Sequence, residues 1–157
     1  MAKIIILGAG AMGSAFSLPC ADNNHEIIIV GTHLDSQFID NINKNNNYHP
    51  ILDIQLPKKI KFIKDEELSN GKYNSPDLLV IATNSKGLEW CVDKINIIAN
   101  YNKLPPLLLL TKGLNIYNNN FEVLAQKLER LLLAEKFNNI NISAVGGPCL
   151  ASDLANK

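Results

Sequence analysis

The sequence predicts an α/β fold built on a doubly wound parallel sheet, and two observations indicate it. Short apolar runs alternate with longer segments that repeat apolar residues at helical spacing, and this alternation continues along the 157 residues. The first apolar run leads directly into the glycine-rich turn of residues 8–13, and a helix-compatible segment follows that turn. A strand, a glycine-rich turn and a helix in this order open the Rossmann form of the fold.

Three glycines at the spacing G-x-G-x-x-G give that turn a predicted function. We expect Gly8 to allow the tight turn after the strand, and Gly13 to let the helix pack close to the strand. Gly10 lets the backbone approach a pyrophosphate, because no Cβ stands in the way. The free N–H groups and the positive dipole end of the following helix then face the phosphates. The turn therefore predicts a binding site for NAD or NADP.

Periodicity places the remaining elements. Apolar runs predict strands over residues 4–7, 27–30, 60–63, 77–82, 107–110 and 140–145. Helical spacing of apolar residues predicts helices over residues 11–21, 36–43, 85–98 and 120–135. Residues 45–57, which include two prolines, are predicted to form a loop. With right-handed crossovers, these elements form one dinucleotide-binding domain over residues 1–157.

The end of the second predicted strand does not choose between the two cofactors. The dinucleotide-binding pattern expects an acidic residue there that accepts hydrogen bonds from the adenosine ribose. The strand instead continues as Gly31-Thr-His-Leu-Asp35. We interpret Asp35 as the N-cap of the next helix rather than as the ribose ligand. The tip of the strand has neither an acidic residue that would repel the 2′-phosphate of NADP nor an arginine that would bind it. The sequence is therefore compatible with either NAD or NADP.

Composition argues against several other functions. The chain is 46% hydrophobic, which is enough apolar material for the core of one domain, and its net charge is +0. A neutral chain is a poor partner for nucleic acid or for an anionic membrane, since both favour a basic excess. The three cysteines and three histidines lack the spacing of a metal site. With no apolar leader before the first strand, we expect reduced thiols and a cytoplasmic protein.

Lys112 stands out at the predicted functional edge of the sheet. In an open parallel sheet the ligand lies outside the carboxyl ends of the strands, where residues 82–85, 110–114 and 145–153 are expected. Lys112 follows an all-leucine strand there, and Lys103 precedes the same strand at the opposite edge. A cation at the position of Lys112 can hold a phosphate or polarise a carbonyl. The alternative is a solvated surface lysine.

Together these segments resemble the amino-terminal domain of the glycerol-3-phosphate dehydrogenases that use NAD or NADP. The resemblance covers nearly the whole chain. It rests on the Gly-Ala-Gly-Ala-Met-Gly turn at 8–13, Tyr-His-Pro at 48–50 with Leu-Pro at 56–57, Thr-Asn-Ser at 83–85, Thr-Lys-Gly-Leu at 111–114, and Gly-Pro at 147–148 with Ala151 and Asp153. It implies hydride transfer between a nicotinamide cofactor and dihydroxyacetone phosphate or sn-glycerol 3-phosphate, in glycerol phosphate metabolism and phospholipid biosynthesis.

The resemblance also implies roles for individual residues. The implied cofactor contacts are Gly8, Gly10, Ala11, Met12, Gly13, Thr32, Asn84, Ser85, Lys112 and Ala151. The implied contacts to the small phosphate substrate are Lys112, Gly147 and Cys149. Three positions depart from the family, which usually has serine or threonine at Cys149, proline at Asn84, and arginine or histidine at Thr32.

Length is the largest departure from the family. The family's proton-transfer lysine, its substrate-phosphate arginine and its all-helical second domain follow the first domain, and this chain ends at Lys157. We therefore expect no catalytic residue within these 157 residues, no turnover by this chain alone and a frayed segment over 151–157. A homodimer would form through the missing domain. The alternatives are a ketopantoate reductase-like enzyme, a hydroxyacid dehydrogenase and a non-catalytic nucleotide-binding module.

Overall fold

A computed structural model of the chain describes residues 1–71, 73–99 and 104–156. Lys103 therefore lies outside the described residues, as does Lys157. The strands are β1 Lys3–Leu7, β2 Glu26–Val30, β3 Tyr48–His49, β4 Ile54–Gln55, β5 Ile60–Ile63, β6 Leu78–Ile81, β7 Leu107–Leu109, β8 Leu114–Tyr117, β9 Asn120–Val123 and β10 Ile142–Ala144. The helices are α1 Ala11–Asp22, α2 Ser36–Lys44, α3 Leu88–Ala99, α4 Leu124–Ala134 and α5 Ala151–Ala155, with short 3-10 helices at Asp65–Asn70 and Ser85–Gly87.

Six strands form one parallel sheet in the order β10-β7-β6-β1-β2-β5. Residue Ile4 of β1 pairs with Ile27 of β2 on one side and with Leu78 of β6 on the other. From β1 the chain first winds outward through β2 and β5, and then returns to wind the other way through β6, β7 and β10. The predicted doubly wound α/β sheet is confirmed. Its crossing point, where such sheets bind ligands, lies between β1 and β6.

Both faces of the sheet are buried at its central strands β1, β2 and β6, which explains why these strands are nearly uniform apolar runs. One set of β1 and β2 side chains, including Ile5 and Ile28, packs with residues of α3 and α4. The alternate set, including Ile4 and Ile27, packs with residues of α1 and α2. Helices therefore cover both faces and leave the carboxyl ends of the strands for the loops that build the site. Among the described residues, no helix is both long enough and apolar enough to cross a membrane.

The boundaries of α4 and of the segment before it differ from the prediction. Residues 114–123 form the antiparallel hairpin β8–β9, and α4 begins at Leu124 rather than at residue 120. Asn118 and Asn119 have φ values of 51° and 62°, the left-handed conformation that a two-residue hairpin turn requires. Asn118 and Asn119 therefore form the turn of this hairpin.

Smaller differences occur elsewhere. The predicted loop 45–57 contains the two-residue strands β3 and β4, paired antiparallel. Three of the parallel strands are shorter than predicted, since β6, β7 and β10 span 78–81, 107–109 and 142–144. Backbone hydrogen bonds nevertheless continue one residue past the carboxyl ends of these strands. The Ala82 N–H donates to the Leu7 carbonyl oxygen, the Leu110 N–H to that of Ile81 and the Val145 N–H to that of Leu109.

Candidate functional site

Two cavities lie side by side at the carboxyl ends of the parallel strands. The first, of about 460 Å³, is lined by the glycine turn, the loop after β2 and the segment after β6: Gly8, Ala9, Gly10, Thr32, His33, Leu34, Asp35, Ala82, Thr83, Asn84, Lys86, Gly87 and Trp90. The second, of about 350 Å³, is lined by Met12, Ala82, Thr83, Asn84, Ser85, Leu110, Thr111, Lys112 and Cys149. Residues 82–84 after β6 are common to both, so the two cavities form one elongated cleft.

The three glycines of the turn have different steric surroundings. Gly8 has φ +118°, and a Cβ on it would lie 2.8 Å from the carbonyl carbon of Ala82. A Cβ on Gly13 would lie 2.3 Å from the carbonyl oxygen of Gly8, which a folded chain does not tolerate. A Cβ on Gly10 would meet no atom within 4 Å. The fold itself therefore requires Gly8 and Gly13, whereas the space in front of Gly10 belongs to the cleft.

The N-terminus of α1 lies directly behind Gly10. Gly10 is the N-cap of α1, and its carbonyl accepts the first helical hydrogen bond, from the Ser14 N–H at 3.0 Å. No side chain caps this helix end, and its first turn carries no acidic residue. The N–H groups of its first residues therefore have no partner within the helix. This end of α1 has the donors and the dipole sign that bind an anion.

The loop after β2 is held by Asp35 in a way that the sequence did not predict. Asp35 does stand at the N-cap position of α2, and its backbone carbonyl accepts the Ile39 N–H at 2.8 Å. Its side chain, however, does not cap the helix. Asp35 Oδ2 instead accepts hydrogen bonds from the N–H and the hydroxyl of Thr32, each at 2.7 Å. The carboxylate therefore closes the loop back on itself and adds a negative charge to the first cavity.

Two of the three predicted substrate contacts, Lys112 and Cys149, line the second cavity, and the third, Gly147, is hydrogen-bonded to Lys112. The donor is the Lys112 ammonium group, and the acceptor is the Gly147 carbonyl oxygen. Thr111 donates through its hydroxyl to the carbonyl oxygen of Thr83 at 2.7 Å. That contact joins the ends of β6 and β7 and fixes the backbone next to Lys112.

The other predicted cofactor contacts fall into two groups. Asn84 and Ser85 line the cleft, but the Asn84 Oδ1 also accepts the N–H groups of Lys86 and Gly87, so Asn84 caps the following 3-10 helix. Met12, Thr32, Gly8 and Gly10 also line it, whereas Ala11, Gly13 and Ala151 line neither cavity; the predicted substrate contact Gly147 lines neither cavity as well. Ala151 begins α5, which packs against α1.

Three residues that line the first cavity were not predicted from the sequence as site residues. Leu34 is 81% exposed and Lys86 is exposed, and both line it. Trp90 packs against the apolar cluster beneath α3 and also lines the cavity. Its position one helical turn after the strand-end segment was the available signal. Cys91 is buried beside Thr83, and burial raises the pKa of its thiol to about 12, so it packs as a neutral group.

The family of this chain is identified by comparison with known proteins. A family model for the NAD-dependent glycerol-3-phosphate dehydrogenase N-terminus matches residues 3–157. The chain belongs to this family. The predicted family membership is thereby confirmed, and the family is one of NAD(P)-dependent dehydrogenases.

Relatives of this glycerol-3-phosphate dehydrogenase domain agree with the assignment. The chain is 28% identical over 154 residues to the NADP(+)-dependent glycerol-3-phosphate dehydrogenase of Archaeoglobus fulgidus, covering 98% of this chain and 43% of that protein. It is 26% identical over 152 residues to the glycerol-3-phosphate dehydrogenase [NAD(P)+] of Phytoplasma mali, covering 97% of this chain and 42% of that protein. The chain thus spans less than half the length of the curated relatives that it matches.

A solved structure supports the fold. The glycerol-3-phosphate dehydrogenase of Coxiella burnetii superposes with a TM-score of 0.72 at 19% identity, covering 99% of this chain and 43% of that one. The domain described above therefore has the same fold as the matched part of that protein.

Proposed function

We propose that this chain is the cofactor-binding part of an enzyme that interconverts dihydroxyacetone phosphate and sn-glycerol 3-phosphate. The observation that carries the proposal is the empty space in front of Gly10, at the uncapped end of α1. A pyrophosphate fits there because it needs close backbone approach and unpaired N–H donors. The adenosine end would occupy the first cavity, and the nicotinamide end would extend into the second.

The second cavity supports the substrate end of the proposal. When bound, the reduced cofactor supplies the hydride for the carbonyl carbon of the substrate. Lys112 would hold an oxygen of the phosphate substrate, exchanging its present hydrogen bond to Gly147 for an anionic acceptor. Cys149 and Ser85 would lie beside the same substrate. We assign no proton transfer to Lys112, and we expect the proton donor in the part of the relatives that extends beyond this match.

Binding and turnover test separate halves of the proposal. Titration of the 157-residue chain with NADH and NADPH, followed by cofactor fluorescence, should give saturable binding. For turnover, the chain would be fused to the remaining part of the Archaeoglobus relative and assayed with dihydroxyacetone phosphate. Activity of the fusion, with none from the chain alone, supports the dehydrogenase.

The outcomes distinguish the alternatives. Saturable cofactor binding without any turnover by a folded fusion favours a non-catalytic nucleotide-binding module. Turnover of ketopantoate or another 2-oxo acid in place of dihydroxyacetone phosphate favours one of the related reductases. Absence of binding to either cofactor contradicts the proposal as a whole.

A further inference from the structure

The carbonyl oxygen of Ala9, in the middle of the glycine turn, lies within hydrogen-bond distance of two side chains, one on α1 and one on β3. The Ser14 hydroxyl on α1 donates to it at 3.2 Å. The Nε2 atom of His49, on β3, lies 3.4 Å from the same oxygen. Ser14 and His49 are both 0% exposed, so neither side chain can exchange this partner for water. Two buried polar groups therefore converge on one backbone atom of the turn.

The hydrogen bonds of His49 determine which of its nitrogens carries the proton. Its Nδ1 atom accepts the backbone N–H of Leu52 at 3.2 Å, so Nδ1 is unprotonated. The proton of the neutral ring is therefore on Nε2, which donates to Ala9. Phe38 packs edge-on against the imidazole at 5.2 Å between ring centroids, which fixes the orientation of the ring. Burial lowers the pKa of His49, so the neutral form is the one present at neutral pH.

Anchoring this carbonyl also fixes the N–H on the other side of the same peptide. In a trans peptide the C=O and N–H bonds point in opposite directions. The Ala9 carbonyl points into the protein, towards Ser14 and His49, so the Gly10 N–H points away from them. Gly10 borders the cleft, with open space in front of it. A rotated peptide would turn the carbonyl oxygen towards this space and repel an anion.

We propose that His49 and Ser14 are positioning residues, which hold the Ala9–Gly10 peptide with its N–H directed at the pyrophosphate of a dinucleotide. The inference rests on the proposed function, since it requires a nucleotide in the cleft. It adds a residue from the β3–β4 hairpin, 40 positions along the chain from Ala9, to the determinants of cofactor affinity. His49 and Ser14 act through the turn and do not touch the cofactor.

A matched pair of serine variants tests the α1 side. Ser14→Ala removes the donor to Ala9, whereas Ser17→Ala removes an equally buried hydroxyl of the same helix that donates to the Ser14 carbonyl. With the 157-residue chain, we expect Ser14→Ala to weaken NADH binding about fivefold and Ser17→Ala less than twofold. Adenosine, which has no pyrophosphate, should bind both variants as it binds the unmodified chain. Equal losses for NADH and adenosine, or no loss in Ser14→Ala, overturn the inference.

Variants of the histidine test the other side. His49→Gln keeps an N–H donor, and His49→Phe keeps the aromatic packing without one, so binding of NADH should survive in the first and fall about tenfold in the second. The Gly10 amide signal in NMR spectra should shift on ADP addition in the unmodified chain and in His49→Gln, and shift less in His49→Phe. Unchanged affinity in a folded His49→Phe variant overturns the role of His49 and leaves the proposed function standing. If the unmodified chain binds no nucleotide, both fail.

Discussion

The ammonium group of Lys112 donates a hydrogen bond to the carbonyl oxygen of Gly147 and so joins the loops that follow β7 and β10. These strands are parallel neighbours, with Leu109 paired to Ala144, so both loops leave the sheet at the same edge. The ammonium group of Lys112 binds an anionic oxygen more strongly than a neutral carbonyl, because the attraction of opposite charges adds to the hydrogen bond. The contact therefore describes a cation that is oriented and available to a substrate.

Replacing Lys112 should impair substrate binding in the fusion with the Archaeoglobus part. Lys112→Ala removes the only charged side chain that lines the second cavity among the described residues, so we expect kcat/KM for dihydroxyacetone phosphate to fall about 100-fold. Lys58→Ala is the control, since Lys58 is exposed just before β5 at the opposite edge of the sheet. Steady-state kinetics of the two variants makes the comparison. Equal activities would return Lys112 to the status of a surface lysine.

Gly10 and Gly13 should fail in different ways when each is replaced by valine. The Gly10→Val side chain enters open space, so the variant should fold, lose about 1 kcal/mol or less at the helix cap and lose cofactor binding. The Gly13→Val side chain collides with the Gly8 carbonyl, so that variant should lose the fold itself. Thermal melting and NADH titration separate the two effects. Normal cofactor binding by a folded Gly10→Val chain would contradict the proposed pyrophosphate position.

Asp35 should influence which cofactor the chain prefers. Its carboxylate lines the first cavity beside Thr32, where the adenosine ribose is proposed to lie. Asp35→Asn keeps an oxygen acceptor for Thr32 and removes the negative charge. We expect the affinity for NADPH to rise relative to NADH by about three- to tenfold, because repulsion of the 2′-phosphate is relieved. Titrations of both proteins with NADPH and with NADH, at low and at high salt, measure this ratio of affinities. An unchanged ratio in Asp35→Asn would mean that the ribose does not lie beside Asp35.

His49 should make the folded chain sensitive to mild acid. Its buried, neutral ring binds fewer protons in the folded chain than in the unfolded chain, whose histidines titrate near pH 6.5. The contribution of His49 to the free energy of unfolding is therefore fully present above about pH 6.5. It falls as the pH drops below this value, by at most about 1.4 kcal/mol per pH unit. Urea unfolding at pH 7.5 and 5.5 would show the loss, and His49→Gln would lack this part of it. The same acid loss in His49→Gln would assign the effect to other groups.

The segment after Gly147 should exchange its amide hydrogens quickly. Helix α5 is five residues long, and none of its residues is fully buried, whereas β1 is buried over four of its five residues. Short helices are marginal without extensive packing, so we expect α5 amides to exchange orders of magnitude faster than those of β1. Hydrogen exchange of a chain shown by light scattering to be monomeric tests it. Protection of α5 comparable to β1 would show that packing on α1 suffices to hold this helix.

Features determined by local sequence were predictable, and features determined by distant contacts were not. The strand before Gly8 and the turn itself follow from apolar patterning and glycine sterics within ten residues. The hairpin turn at Asn118 and Asn119 also has a local signal, because asparagine tolerates left-handed backbone, but the prediction began the helix at residue 120 and so included β9 in it. The Asp35 carboxylate can accept hydrogen bonds either from the first turn of α2 or from Thr32 in its own loop. Which of the two it binds depends on the folded conformation of that loop. The contact of His49 with Ala9 spans 40 positions, and no local pattern indicates it.

The central position of β1 leaves one of its two edges without a partner strand while the chain is being synthesised. Its first partner, β2, leaves the ribosome soon after it, but its second partner, β6, follows some seventy residues later. At typical synthesis rates that interval is roughly 4 to 15 seconds. During this time the β6-facing edge of the apolar run Ile4 to Leu7 has no native strand to pair with. A strand that is buried over four of its five residues in the finished domain is thus exposed on one edge early in synthesis.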